Sequence, residues 1–345
     1  MRHQDCQTIR KGGPYRQFAG RIVLSLVVGL WAAQGVAAEP AATRPAAAAT
    51  QAKAPATRPG PPPTFSDVAY GDQARQVLDF WQAKSDRPTP VVIHLHGGAW
   101  MNGNKGVPQA IEKYLAAGIS VASISYRYVS LAQAAHVKPP VSWPMHDGAR
   151  ALQFVRSKAG EWNVDKQRIA LTGTSAGACT SLWLAFHDDL AQPASDDPVL
   201  RESTRLWCVA VDSAQTSLDP QQMKEWTPNS RYGGHAFGFR APKDIKALEE
   251  QFGVFLAHRD EVLPWIKEYS PLEQATADDP PVYLFYKTPP AMGKAEKDPT
   301  HTANFGVPLQ EKLKGLGVEC EFVYPDAPDV KHPSIDAFLI EKLKK

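Results

Sequence analysis

Apolar residues fall into short runs separated by polar, Gly- and Pro-bearing stretches. Val91-Val92-Ile93-His94-Leu95 is a nearly continuous apolar run behind Pro88-Thr89-Pro90, which predicts a parallel strand buried on both faces. Strands are also predicted at Val68–Tyr70, Val77–Trp81, Ile119–Tyr126, Arg168–Leu171, Leu206–Val211, Val282–Tyr286 and Val318–Tyr324. Between them lie helical segments. Pro108–Ala117 has a proline near its start and Gly118 just past its end. Asp147–Ala159 carries Ala151, Leu152 and Val155 at helical spacing, and Gly160 closes it. Ala176–His187 and Pro308–Leu316 follow the same logic, and Ser334 caps a final amphipathic helix. Strands alternating with helices predict an α/β fold, a mostly parallel central sheet with helices on both faces. Residues 213–269 break that rhythm, being long and rich in Gly, Pro and aromatics. They read as a lid inserted after the sixth strand, over the edge of the sheet where active sites of open α/β folds lie.

The first part of the chain shows no core pattern. Arg10, Lys11, Arg16 and Arg21 precede an apolar run, Ile22–Ala33, and small residues ending at Val36-Ala37-Ala38. That is the layout of a secretory signal over residues 1–38, and it predicts an exported, periplasmic or secreted protein. The apolar run is short for a bilayer span; an uncleaved N-terminal anchor is the rival reading. Residues 39–63 are mostly Ala, Pro, Thr, Gln and Gly and read as a linker. Residues 64–345 are then long enough for one large domain. A net charge of +2 gives no footprint for nucleic acid. Cys179, Cys208 and Cys320 are odd in number and widely spaced, so at least one is a free thiol. No Cys/His cluster has zinc spacing and no phosphate-binding glycine loop is present. Neither metal nor organic cofactor is expected.

Two motifs carry chemistry. Gly173-Thr174-Ser175-Ala176-Gly177 is a G-x-S-x-G turn between a predicted strand and helix, and His96-Gly97-Gly98-Ala99-Trp100 follows the strand ending at Leu95. Together, in this order, they point to acyl transfer by a nucleophilic serine. The glycines let the strand turn sharply and leave the Ser175 hydroxyl exposed. A hydroxyl is a poor nucleophile at neutral pH and needs a base within hydrogen-bond reach. The backbone N–H groups of Gly98, Ala99 and Ala176 are the expected oxyanion donors. The fold order of serine, acid, histidine places the base in the loop after the last strand, at His332, with His301 as second choice. His235 is expected to shape the lid. The acid should follow the strand Val282–Tyr286. Asp298 is the candidate there, with Glu296, Asp326 and Asp329 as alternatives.

The same residues resemble the α/β-hydrolase superfamily, especially exported carboxylesterases and lipases with an H-G-G-x-W loop, hormone-sensitive-lipase-like or feruloyl-esterase-like. The resemblance runs from about Asp67 to the C-terminus. It takes in Ser123-Ile124-Ser125-Tyr126-Arg127-Tyr128, Asp147-Gly148-Ala149-Arg150-Ala151-Leu152, Asn163-Val164-Asp165 and Ser270-Pro271-Leu272. It implies Ser175 as nucleophile, His332 as base, Gly98, Ala99 and Ala176 as oxyanion donors, and Asp147 as a structural residue at a helix start. The sequence departs from the family where H-G-x-x-D usually precedes the acid; here Leu284-Phe285-Tyr286-Lys287-Thr288-Pro289-Pro290 stands instead. The expected activity is hydrolysis of carboxylic esters, with acetyl or feruloyl esters of polysaccharide as a substrate class by analogy. A serine peptidase on the same fold and a non-catalytic hydrolase-fold binding protein are the alternatives.

Overall fold

The structure, a computed structural model, describes residues 60–239 and 245–345. The expected signal segment and nearly all of the expected linker lie outside these residues. The chain forms β1 (Phe65–Ala69), β2 (Val77–Trp81), β3 (Thr89–Leu95), α1 (Ile111–Ala116), β4 (Ser120–Ile124), α2 (Val129–Ala134), α3 (Ser142–Ser157), β5 (Val164–Thr174) and α4 (Ala176–Phe186). These are followed by β6 (Cys208–Asp212), α5 (Pro220–Trp226), α6 (Ile245–Ala257), α7 (Arg259–Tyr269), α8 (Pro271–Gln274), β7 (Val282–Phe285), α9 (Gly306–Leu316), β8 (Cys320–Val323) and α10 (Ile335–Lys344).

The strands make one eight-stranded sheet in the order β1-β2-β4-β3-β5-β6-β7-β8. The β1–β2 and β2–β4 pairs are antiparallel, and every pair from β4 to β8 is parallel. The apolar runs decide this. Alternate β3 residues face opposite layers: Val91, Ile93 and Leu95 join the core that includes Leu152 and Leu182, while Val92 joins Ile111, Tyr114, Phe338 and Leu339. A strand buried on both faces needs helices on both, as parallel sheets do.

Most predicted elements are present, with shifted ends. Helix α3 begins at Ser142, five residues before Asp147, because Pro144 lies in the first turn, where a missing N–H costs nothing. Helix α2 lies in a stretch read as loop. The insertion after β6 holds helices α5 to α8. Cys179, Cys208 and Cys320 are free thiols.

Candidate active site

The nucleophile turn is built by close approach. A Cβ on Gly177 would lie 2.2 Å from the Leu95 carbonyl oxygen, and one on Gly173 would lie 2.7 Å from the same atom. Only glycine lets α4 start this near β3. Ser175 takes the strain, with φ 56° and ψ −122°, a region costly for a residue with a side chain. Its N–H donates to the Asp212 carbonyl at 3.0 Å, which ties the nucleophile to the end of β6. Its hydroxyl stands at the N-terminus of α4, where the helix dipole favours negative charge.

The loop after β3 is equally strained. Gly98, Ala99 and Trp100 have φ of 107°, 53° and 54°. Three successive left-handed residues turn their N–H groups away from a regular ladder. The Gly98 carbonyl accepts from Met101 and Asn102, while among the described residues neither the Gly98 nor the Ala99 N–H donates to backbone. Buried side chains hold the loop. Trp100 Nε1 donates to Thr180 Oγ1 on α4 at 3.0 Å. The His96 ring stacks on Tyr126 with centroids 4.1 Å apart, and the Tyr126 hydroxyl donates to the His96 carbonyl at 2.8 Å. Burial pulls the His96 imidazole down to about 4, so the ring is neutral at neutral pH. From outside, Arg75 donates to the carbonyls of Tyr126 and Gly103 and to Asn104 Oδ1, with its guanidinium 3.7 Å above the Tyr128 ring. Asp147, inside α3 rather than at its start, is fully buried and accepts from Gln76, the Arg127 backbone and the Arg127 guanidinium. It is a structural tie. His235 is buried near Trp100, with rings 6.0 Å apart, and burial lowers it to about 4. It shapes the floor of the oxyanion loop.

The base is where the sequence expectation fails. His332 Nδ1 meets Glu321 Oε1 at 2.6 Å and its Nε2 meets Glu341 Oε2 at 2.8 Å. Both ring nitrogens are engaged by carboxylates, so neither is directed at a serine. Its carbonyl also accepts from the Tyr283 hydroxyl at 3.1 Å. A cavity of about 250 Å³, lined by Thr174 and Asp212 on one side and by Pro333 to Asp336 on the other, lies between the nucleophile strand and the start of α10. Most of the loop after β8 is exposed, and only His332 in it is buried.

His301 stands in its place. Its Nε2 lies 2.9 Å from Ser175 Oγ and its Nδ1 lies 2.8 Å from Asp298 Oδ2. The carboxylate can only accept, so Nδ1 carries the proton and Nε2 offers its lone pair to the serine O–H. Asp298 is therefore beside a histidine, but that histidine is His301. The His301 side chain is 35% exposed and that of Asp298 63% exposed. Of the other acid candidates, Glu296 is held through its backbone by the Asn229 amide. Asp326 and Asp329 lie in left-handed turns after β8. The local signal for this pair was Asp298-Pro299-Thr300-His301, a turn short enough for an aspartate to reach a histidine three residues on.

The loop from Tyr286 to Phe305 is rebuilt around polar side chains that sequence reasoning did not single out. Asn304 is fully buried. Its Oδ1 accepts from Ala291 N at 2.7 Å and its Nδ2 donates to Trp226 O and Thr227 Oγ1 at 2.8 and 2.9 Å. Gln215 Nε2 donates to Thr300 O at 2.6 Å, and Thr216 Oγ1 donates to Phe305 O at 2.6 Å.

A strained serine at a strand-to-helix turn, beneath a left-handed glycine loop on a mostly parallel sheet, places this chain among the α/β-hydrolases, the fold its solved neighbours share. Residues 78–289, more than half the chain, match the BD-FAE family of bifunctional acetyl/feruloyl esterases, and the protein belongs to that family. Esterase LipQ of Mycobacterium tuberculosis is 31% identical over 219 residues, covering 58% of this chain and 49% of that protein. The chain spans half or less of the length of the first curated relatives it matches, 27% for Esterase LipC of the same organism. A truncated carbohydrate esterase from gut microbiota superposes with a TM-score of 0.56 at 19% identity, covering 81% of this chain and 96% of that one. Esterase 2 of Thermogutta terrifontis phosphonylated by sarin superposes with a TM-score of 0.52 at 22% identity, covering 76% of this chain and 84% of that one.

Proposed function

We propose that the protein is a serine carboxylesterase working through an acyl-enzyme, with Ser175, His301 and Asp298 as its triad. The observation that carries this reading is the 2.9 Å contact from Ser175 Oγ to an imidazole nitrogen whose partner nitrogen is held by a carboxylate. Ser175 Oγ attacks the ester carbonyl while its proton passes to His301 Nε2. The carbonyl π electrons move to oxygen, and the oxyanion is met by the N–H groups of Gly98, Ala99 and Ala176. As the C–O bond breaks, His301 returns its proton to the leaving alcohol. Water then repeats the sequence, with His301 taking a proton from it and Ser175 leaving. Asp298 keeps the proton on Nδ1 and stabilises the imidazolium that forms.

The substrate class we propose is an acetyl or feruloyl ester on polysaccharide. Family membership supports it, as does a fold neighbour described as a carbohydrate esterase. The exposure of His301 and Asp298 supports it too, because an ester borne on a polymer can reach a base at the surface. The basic and apolar stretch before residue 39 adds export to the proposal; no helix among the described residues is long and apolar enough to cross a membrane. The test is p-nitrophenyl acetate hydrolysis together with fluorophosphonate labelling. The wild-type protein should turn over the ester and take the probe at Ser175, and Ser175→Ala should do neither. Unchanged hydrolysis in Ser175→Ala would end this reading. Acetate and ferulate release from esterified xylo-oligosaccharides then sets the acyl preference.

A further inference from the structure

We propose that Gln215 is a positioning residue for this reaction: its amide, reaching across from the start of the lid, sets the His301 imidazole over Ser175. The inference rests on the triad reading above. Ser175 and His301 are both referenced to the four residues at the end of β6. The Ser175 N–H bonds the Asp212 carbonyl at 3.0 Å. Gln215 Nε2 bonds the carbonyl of Thr300, the residue before His301, at 2.6 Å. The short stretch between them is stiff. Ser213 is held at φ 56° with its N–H on the Phe285 carbonyl at 2.8 Å, and Tyr286 OH donates to the Ala214 carbonyl at 2.8 Å. One side-chain amide therefore links the segment that holds the hydroxyl directly to the residue before the imidazole.

Two features separate this role from simple core filling. Gln215 is fully buried, and its Oε1 has no partner among the described residues. A buried acceptor left unpaired is destabilising, so an apolar side chain of the same length would fill the space better. What it would lose is the donor to Thr300, together with the longer 3.3 Å contact to the Ser213 carbonyl. Thr216 offers an internal comparison. It makes a bond of equal length to the carbonyl of Phe305, farther along the chain from His301.

The experiment measures kcat, KM and Tm on p-nitrophenyl acetate for Gln215→Met, Gln215→Asn and Thr216→Val. Gln215→Met keeps the volume and removes the donor, and Gln215→Asn keeps an amide too short to reach. Both should lower kcat by roughly 10–100-fold, as expected when a catalytic group is displaced by about 1 Å. KM should stay within about twofold, because a buried side chain touches no substrate. Thr216→Val should lose less than about threefold in kcat at a similar cost in Tm. The proposal is overturned if either folded Gln215 variant keeps kcat within threefold of wild type, or if Thr216→Val loses as much. Gln215→Asn decides the matter if Gln215→Met does not fold. Should His301→Ala retain wild-type turnover, the triad reading itself has failed, a result distinct from wild-type activity in the Gln215 variants alone.

Discussion

His301 and His332 each sit in a loop after a strand of the same sheet, and each has a carboxylate on Nδ1. They differ in what the second nitrogen meets. For His301 it is a serine hydroxyl at 2.9 Å; for His332 it is Glu341 at 2.8 Å. The first ring can alternate between accepting and giving a proton. The second is held by a carboxylate at each nitrogen and cross-links β8, its loop and α10. A carboxylate beside a histidine is thus no mark of a base. The mark is a remaining lone pair aimed at a nucleophile.

Substitutions should split the two rings cleanly. The largest effect is expected for His301→Ala, which should lower kcat/KM for p-nitrophenyl acetate by on the order of 10⁴-fold or more, while His332→Ala stays within a few-fold of wild type. Similar losses in both would erase the contrast. Asp298→Asn comes next, with a loss of roughly 10- to 1,000-fold. That is smaller than for a buried triad acid, because at 63% exposure water can partly replace the carboxylate.

On stability the order reverses. His332→Ala strands the buried Glu321 carboxylate, and the expected loss is about 3 kcal/mol, read as a lower midpoint in urea. Half-exposed His301 should cost little when replaced. The smallest effect is on pH dependence. Burial holds His94, His96 and His235 down at about 4, so below about pH 6.5 the unfolded chain takes protons that the folded rings refuse. Their contribution is complete above that pH and shrinks as pH falls towards 4. Asp279, pushed up to about 6 by burial, works the other way, because the folded form keeps its proton where the unfolded carboxyl has lost it. With three histidines against one carboxyl, Tm should fall between pH 6.5 and 4.5. A flat profile over that range would show that these histidines are not buried neutral rings.

The glycine turn at Ser175 and the left-handed loop after β3 were legible because they are written in backbone requirements. Gly173 and Gly177 admit α4 against β3, and Gly98 opens the left-handed run, so each constraint falls on a residue within the motif. His332 was placed beside Ser175 because chain order stood in for position. The loop after β8 does follow the last strand, but Glu321 on that strand and Glu341 on α10 capture His332 before it can reach the sheet edge. Nothing local to His332 encodes two carboxylates at distances of eleven and nine residues. The rebuilt loop after β7 was visible only as a departure from the family pattern. Its supports, Gln215, Thr216, Asn229 and Asn304, are polar residues inside stretches that read as lid or loop, and their value lies in carbonyls far away in sequence. The strands and five helices, α1, α3, α4, α9 and α10, were legible from apolar runs and Pro or Gly end signals, while α5 to α8 lay within the stretch read as a lid. The first turn of α3 hid behind Pro144, and α2 within a polar stretch.

Asp298 and His301 share a single turn of chain, and this changes how the site can fail. When base and acid stand on separate loops, each can drift and the relay has several independent ways to come apart. Here the relay is one part with one seating. Any motion of the loop carries proton acceptor and orienting carboxylate together, and leaves a single coordinate, the gap to Ser175, on which turnover depends. Whatever widens that 2.9 Å contact would uncouple base and acid from the serine together.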